Sequence, residues 1–172
     1  MKGVSKMKKG FTLIELLIVI AVLGILAAGV LATIDPFEQF KKARDTNARN
    51  STVELYNAFI RFNANHGAFP WTYVKNGVTS CTETTSSVQD AMGTCISALI
   101  DDGELKSGFT ASLQGGVGTT MTYSGTTDSI AVCFRPDSKT IRTDLNTKYA
   151  STGLTTSPCD ASEANTCYWC AE

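Results

Sequence analysis

The 172-residue sequence predicts an α+β fold, in which a long N-terminal helix packs on a small antiparallel sheet followed by a disulfide-rich C-terminal loop region. Three observations support this prediction. An apolar run near the N-terminus is long enough to span a membrane, a second helical pattern follows it, and all six cysteines lie after both. The 43% hydrophobic and 18% charged content excludes a disordered chain. The net charge of −1 leaves no basic excess for phosphates, so nucleic acid is an unlikely partner.

The apolar run covers residues 11–34 and contains a single charge, Glu15. As a helix it is about 36 Å long at ~1.5 Å per residue, against a hydrocarbon core of ~30 Å. Residues 1–10 hold four lysines and no acid. This asymmetry predicts a single-pass helix with its N-terminus in the cytoplasm and the rest of the chain outside. The alternatives are a secretory signal cleaved near Ala28 and a membrane anchor with no further role.

A specific motif marks the start of the apolar run, where residues 9–15 read Lys-Gly-Phe-Thr-Leu-Ile-Glu. This motif resembles the prepilin signature of type IV pilins and type II secretion pseudopilins, and the similarity continues to about Ile34. The resemblance implies that a prepilin peptidase removes residues 1–10 as a leader by cutting after Gly10, and that the new N-terminal residue, Phe11, is N-methylated. It also implies a pilus assembly platform and ATPase that build the mature chains into a helical homo-oligomer.

Glu15 needs a partner in lipid, because a lone carboxylate there costs about 2.5–3.5 kcal/mol on insertion scales. Cleavage after Gly10 creates a positive amine at Phe11, four residues before Glu15. Unit charges 4 Å apart attract by ~4 kcal/mol at an effective dielectric of 20. We therefore expect Glu15 of one subunit to pair with the Phe11 amine of the next. The alternative is an interfacial Glu15 that reaches water.

Small residues in the second half of the apolar run favour close helix–helix packing. Gly24 and Gly29 also weaken the helix by about 1 kcal/mol each relative to alanine. The segment resembles the one in pilins that loses helicity in the filament, although Pro36 lies later than the proline usual there. We expect flexibility at Gly24, Gly29 and Pro36, or a bend where Pro36 removes a backbone donor.

Residues 35–66 are predicted to continue the helix, with an apolar face in the C-terminal half and charges in the first half. His66-Gly67, followed by Pro70, predicts the end of the helix. Residues 63–70 resemble the segment at which the long helix ends in pilins and pseudopilins. His66 is expected at a cap or on the surface. We expect ion pairs with neighbouring subunits from the basic residues of the first half, which are Lys41, Lys42, Arg44 and Arg49.

Residues 67–172 are predicted to form an extracytoplasmic globular domain. The stretch 71–87 is polar and turn-rich, and the tail 144–172 is predicted to be loop. The elements between them are a short helix over 88–99 and strands over 121–124, 129–134 and 140–143.

The cysteines form an even set confined to the exported part, which predicts structural disulfides worth ~2–4 kcal/mol each. They are Cys81, Cys95, Cys133, Cys159, Cys167 and Cys170. Cys81–Cys95 is the simplest local pairing. One candidate set adds Cys133–Cys159 and Cys167–Cys170, and a swap that pairs Cys133 with Cys167 or Cys170 is an equal alternative.

Other chemistry has weaker support in the sequence. The last four cysteines could hold zinc, although they contain only one pair with Cys-x-x-Cys spacing, and that pair could instead be redox-active. Asp101, Asp102 and Glu104 could bind Ca²⁺, but acids at the end of a helix are more often only hydrated by solvent. No nucleophile–base pair or metal set stands out, so we expect neither enzymatic activity nor a cofactor.

Together these observations predict a structural subunit of a type IV pilus-like filament. The subunit is expected first in the cytoplasmic membrane, with its C-terminal domain outside, and then in an extracellular filament. A type II secretion pseudopilin and a membrane-anchored binding domain that never polymerises are the alternatives.

Overall fold

The computed structural model describes residues 10–33, 35–75, 77–81, 85–87, 94–113, 117, 120–149 and 167–171. The chain divides into two compact units, Met1–Phe37 and Glu38–Glu172. A long apolar N-terminal helix, a small antiparallel sheet and two disulfides confirm the predicted fold class.

Two helices occupy the region of the predicted long helix. Helix α1 spans Leu13–Thr33 and helix α2 spans Pro36–His66. At the start of α2 the Asp35 carboxylate accepts the Phe37 N–H at 3.1 Å. Pro36 suits the first helical position, because it has no N–H to leave unpaired and its φ is already helical. Asp35 and Pro36 are thus a helix start signal.

Helix α2 buries one face against the core of the globular unit. The buried residues repeat at helical spacing: Asp45, Ala48, Ser51, Thr52, Leu55, Ala58, Phe59 and Phe62. The helix ends at His66, as predicted, and Gly67 adopts a left-handed conformation with a φ of 71°. The Gly67 N–H donates to the Asn63 carbonyl at 2.7 Å, which satisfies one of the last helical carbonyls.

The sheet of the globular unit has five antiparallel strands in the order β3-β4-β5-β7-β6. The strands are β3 (Thr85–Ser87), β4 (Met121–Gly125), β5 (Ile130–Phe134), β6 (Thr147–Tyr149) and β7 (Tyr168–Ala171). A separate two-stranded hairpin joins β1 (Val74–Lys75) to β2 (Val78–Thr79). The described part of the unit also contains the short helices α3 (Cys95–Asp101), α4 (Phe109–Ser112) and α5 (Lys139–Arg142).

Two sequence-based predictions for the C-terminal part were wrong. The expected strand over 140–143 is the helix α5, because the Ser138 hydroxyl accepts the Ile141 N–H and caps a helix start. The tail expected to be loop contains β6 and β7. These two short stretches become strands by pairing, because β7 pairs with β6 on one side and with β5 on the other.

The other predicted elements agree more closely. The strands expected over 121–124 and 129–134 are β4 and β5. The helix expected over 88–99 includes α3, which begins at Cys95; residues 88–93 of that prediction lie outside the described residues. The stretch 71–87, expected to be turn-rich, contains the short strands β1, β2 and β3.

An aromatic cluster joins α2 to the sheet. The Phe59 ring lies 5.5 Å from Trp71 and 5.4 Å from Tyr123, between ring centroids. The Trp71 indole N–H donates to the Thr126 carbonyl at 3.0 Å. A Cβ at Gly125 would clash with the Trp71 ring, so the end of β4 requires glycine at this position.

Candidate functional site

The junction between Gly10 and Phe11 is open to solvent. Gly10 is exposed, Phe11 is 90% exposed, and a Cβ at Gly10 would have no neighbour within 4 Å. The peptide bond at this junction is therefore accessible to an enzyme. Helix α1 begins only at Leu13, so residues 10–12 lie outside the helix.

Glu15 and Thr12 form a reciprocal capping box at the start of α1. Glu15 Oε2 accepts the Thr12 N–H at 2.8 Å and the Thr12 hydroxyl at 2.9 Å, while the Glu15 N–H donates to Thr12 Oγ1 at 3.3 Å. This motif was not predicted, although the spacing Thr-x-x-Glu before an apolar run is its signal in the sequence. Glu15 thus has a partner in its own chain.

The capping box uses only one of the two carboxylate oxygens of Glu15. Oε1 receives no hydrogen bond from the residues that the structure describes. This oxygen is free for a second, positively charged donor, in addition to the bonds from Thr12.

Helix α1 is apolar on all sides. Every Leu, Ile and Val side chain in it is at least 50% exposed, and Leu13–Leu31 is long and apolar enough to cross a membrane. A helix that is hydrophobic all round requires an apolar environment, either lipid or other helices. The helix runs without interruption through Gly24 and Gly29, where an added Cβ would meet nothing within 4 Å. Both glycines therefore leave open surface for a close neighbour.

The charged first half of α2 makes contacts within its own chain. Arg44 pairs with Asp137, Lys41 pairs with Glu38 at 3.1 Å, and the Arg49 guanidinium lies 4.7 Å from the centre of the Trp169 ring. These three cations thus have partners within their own chain, and the expected inter-subunit ion pairs stay a prediction. Sequence spacing alone could not show that the loop after β5 and strand β7 lie beside this face.

Two acids of α2 bind the same loop through its backbone. Asp45, only 4% exposed, accepts the Asp137 N–H at 3.0 Å and the Ser138 N–H at 2.7 Å. Glu38 accepts the Lys139 N–H at 3.1 Å. This bond, followed by the Lys41 ammonium, lowers the pKa of Glu38 below its ordinary value. In the sequence both acids are notable only as neighbours of the basic cluster, and nothing there indicates that they bind this loop.

The structure contains the expected local disulfide Cys81–Cys95. It also pairs Cys133 with Cys170, which are directly opposite each other on β5 and β7. Pairing of Cys133 with Cys167 or Cys170 was the predicted alternative, and the structure contains the second of these bonds. The set of Cys133–Cys159 with Cys167–Cys170 was therefore wrong. Cys167 is buried and immediately precedes the last strand, and Cys159 lies outside the described residues.

The second disulfide removes two alternatives for the last four cysteines. Zinc binds thiolates, whereas the sulfurs of Cys133 and Cys170 are joined to each other. The redox interpretation of Cys167 and Cys170 needs a pair at a helix N-terminus, but Cys170 lies within a strand.

Two of the three acids proposed as calcium ligands, Asp102 and Glu104, have partners on α2. Glu104 accepts from Arg61 Nε at 2.9 Å and from the Asn65 amide at 2.6 Å. Asp102 lies 3.4 Å from Nε2 of His66, whose ring stacks on Phe62. Within the described ranges, no three potential metal ligands converge. These contacts join the end of α2 to the turn after α3.

The comparison with family models identifies the N-terminal segment. Residues 5–31 match the prokaryotic N-terminal methylation motif, which is the prepilin signature of type IV pilins and pseudopilins. This match supports a type IV pilin-like or pseudopilin protein, processed by a prepilin peptidase. No curated protein and no solved structure matches the chain.

Proposed function

We propose that the chain is a structural pilin, a subunit of a type IV pilus-like extracellular filament. Residues 1–10 act as the leader, and cleavage after Gly10 and methylation of Phe11 produce the mature subunit. Residues 11–34 anchor the subunit in the cytoplasmic membrane with residues 67–172 outside, and 35–66 join the two parts. An assembly platform and ATPase then transfer the subunit into the filament, where the apolar helices form the core.

One observation carries this proposal, which is the exposure of α1 on all sides beside an accessible cleavage junction. Its Leu, Ile and Val side chains are 50–92% exposed. A bilayer supplies an apolar environment for such a helix, and so does a bundle of identical helices. One helix can therefore move from the membrane to a polymer core without exposing its apolar surface to water.

The geometry of Glu15 supports a stepwise addition of subunits. Oε2 is bound by Thr12 of the same chain, and Oε1 remains for the Phe11 amine of a neighbour. The capping box reduces the cost of placing the carboxylate in an apolar setting, but it leaves the negative charge unpaired. Pairing that charge with one amine gives each subunit a defined axial position relative to the next.

The test separates the charge of Glu15 from its capping role. Glu15→Gln keeps an amide oxygen for the Thr12 N–H but removes the charge, so helix α1 should still form and insert. We expect filament yield, measured by electron microscopy and by quantifying sheared filaments, to fall at least tenfold. Carbonate-resistant membrane association should stay unchanged.

Thr12→Ala is the matched control, because it removes the hydroxyl partner and keeps the charge. It should retain most of the filament yield, with a helix cap weaker by about 1 kcal/mol. If Glu15→Gln assembles normally, charge pairing does not drive assembly. If cells expressing the chain with its export machinery form no filaments, the chain is an anchored domain rather than a pilin.

A further inference from the structure

A pocket of about 420 Å³ lies beside the end of α2, within the globular unit. Helix α2 contributes Phe62, which is only 2% exposed. The β1–β2 hairpin and its flanking residues contribute Tyr73 and Lys75, and helix α3 contributes Ala98 and Asp101. We name this site the hairpin pocket.

Contacts within the globular unit hold the walls of the hairpin pocket in place. The Tyr73 ring packs edge-on against Phe62, with 5.6 Å between the ring centroids. The Tyr73 carbonyl accepts the N–H of Ser80, another lining residue, at 3.3 Å. The disulfide Cys81–Cys95 joins the residue after Ser80 to the first residue of α3, so it links the hairpin wall to the helix wall. A ligand therefore meets walls that are already formed, which lowers the entropic cost of binding.

Charged side chains of both signs line the hairpin pocket. Lys75 contributes an ammonium group and Asp101 contributes a carboxylate, and both residues are exposed. Among the residues that the structure describes, neither one forms an ion pair. Lys75 repels a cationic ligand, whereas Asp101 and its neighbour Asp102 repel an anionic one. The hairpin pocket therefore favours a neutral ligand that both donates and accepts hydrogen bonds.

The rest of the lining suits a ligand with hydroxyl groups and an apolar ring face. A carboxylate only accepts hydrogen bonds, an ammonium group only donates them, and a hydroxyl such as that of Ser80 does both. The hydroxyls of a sugar ring can bond to all three kinds of group, and its C–H face can pack on the half-buried Tyr73 ring. The pocket volume is within the range of about 300–1,000 Å³ that is typical of small-molecule sites.

We propose that the hairpin pocket binds a small neutral saccharide of one or two rings. Asp101 accepts hydrogen bonds from the sugar hydroxyls, Lys75 donates to them, and Tyr73 packs against one face of the ring. This inference adds a binding site to the globular unit, and it requires neither a membrane nor a filament. If the chain polymerises as proposed, each subunit brings one such site to the filament.

Saturation-transfer NMR tests the site in the full chain. The protein is solubilised in a polyoxyethylene detergent, because glucoside and maltoside detergents carry sugar headgroups. The probes are glucose, galactose, mannose, N-acetylglucosamine, N-acetylgalactosamine, lactose and maltose. At least one probe should give a signal that saturates as its concentration rises. Its apparent Kd should change less than twofold between about 0.02 and 0.5 M NaCl, because salt does not screen a neutral ligand. Absence of a saturable signal with every probe overturns the proposal.

A steric block locates the bound sugar. Ala98→Phe places a ring at a half-buried position in the lining of the hairpin pocket. The matched control, Ala64→Phe, adds the same ring at an exposed position of α2 outside that lining. We expect Ala98→Phe to weaken binding at least tenfold and Ala64→Phe to change it less than twofold. A folded Ala98→Phe variant that binds as well as the control places the sugar elsewhere and overturns the proposal.

Substitutions at two exposed positions test the charged groups and do not depend on the fold of Ala98→Phe. Lys75→Met and Asp101→Ala each remove one hydrogen-bonding group, so each should weaken saccharide binding at least threefold. Lys106→Met, at an exposed lysine outside the pocket lining, is the control and should have no effect. Unchanged affinity for the sugar in both pocket variants overturns the proposal.

Charged probes distinguish a saccharide site from a site for ions. Tetramethylammonium should bind more tightly to Lys75→Met if the hairpin pocket recognises cations, because a like charge has been removed. Acetate should bind more tightly to Asp101→Ala if it recognises anions. Either result, with no saturable signal from the sugars, overturns the proposal. Saccharide binding that both pocket variants weaken, without saturable binding of either ion, supports it.

Discussion

Asp45 shows how a single buried residue connects α2 to the sheet. Its carboxylate lies in the core-facing stripe of the helix, where sequence periodicity favours an apolar residue. It is tolerated because the N–H groups of Asp137 and Ser138 donate to it. A buried charge is stable only when it is hydrogen-bonded, so this acid determines where the loop after β5 meets the helix.

Asp45→Asn should lower the free energy of unfolding by about 1.5–3 kcal/mol, because one oxygen and the charge are lost from a buried site. Urea denaturation of the detergent-solubilised protein, followed by tryptophan fluorescence, measures the change. The neighbouring substitution Arg44→Ala is the control. It removes a half-exposed ion pair with Asp137 and should cost only about 0–1 kcal/mol. Equal effects of the two substitutions would contradict the role of burial.

Among the secondary structure elements, the hairpin of β4 and β5 depends on a close approach to Trp71. The two strands pair over Met121–Gly125 and Ile130–Phe134, close to the strands predicted over 121–124 and 129–134. The pattern did not reveal that the Trp71 ring covers the end of β4, because that contact joins residues far apart in the sequence. Gly125 has a packing role here, in addition to its place before the turn.

Gly125→Ala should destabilise the globular unit by about 1–3 kcal/mol, because the new methyl group displaces the Trp71 ring. Thermal unfolding should begin at a lower temperature, and the tryptophan emission should change. Gly108→Ala is the matched control, since its Cβ has no neighbour within 4 Å and its φ is −78°. A stability of Gly125→Ala equal to that of Gly108→Ala would show that Trp71 does not pack as described.

In the whole molecule, the last strand in the sequence lies inside the sheet. Strand β7 is paired with β5 on one side and with β6 on the other. It is also joined to β5 by the disulfide Cys133–Cys170, and Trp169 contacts Arg49 of α2. The sheet of the globular unit is therefore complete only when the C-terminal strand β7 has joined it.

Removal of residues 167–172 should prevent folding of the globular unit, because β6 loses its partner strand and β5 loses one of its neighbours. Limited proteolysis should then degrade the part after α2, while membrane association through α1 persists. The substitution Cys170→Ser tests the disulfide alone and should cost ~2–4 kcal/mol without loss of the fold. A protease-resistant truncated protein would contradict the structural role of β7.

The sequence alone determined the parts of this protein that depend on local chemistry. The apolar helix, the motif at residues 9–15, the end of α2 at His66 and the strands β4 and β5 follow from composition and short-range periodicity. The capping box of Thr12 and Glu15 also belongs to this class, because its spacing is visible without a fold.

Only the tertiary structure decided the parts that depend on distant residues. It paired Cys133 with Cys170, directed Arg44 and Asp45 to the loop after β5, and turned the tail into strands of the sheet. Residues 168–171 are too few to specify a strand by periodicity. They become one because β5 and β6 satisfy their backbone hydrogen bonds, and only the folded chain brings those strands together.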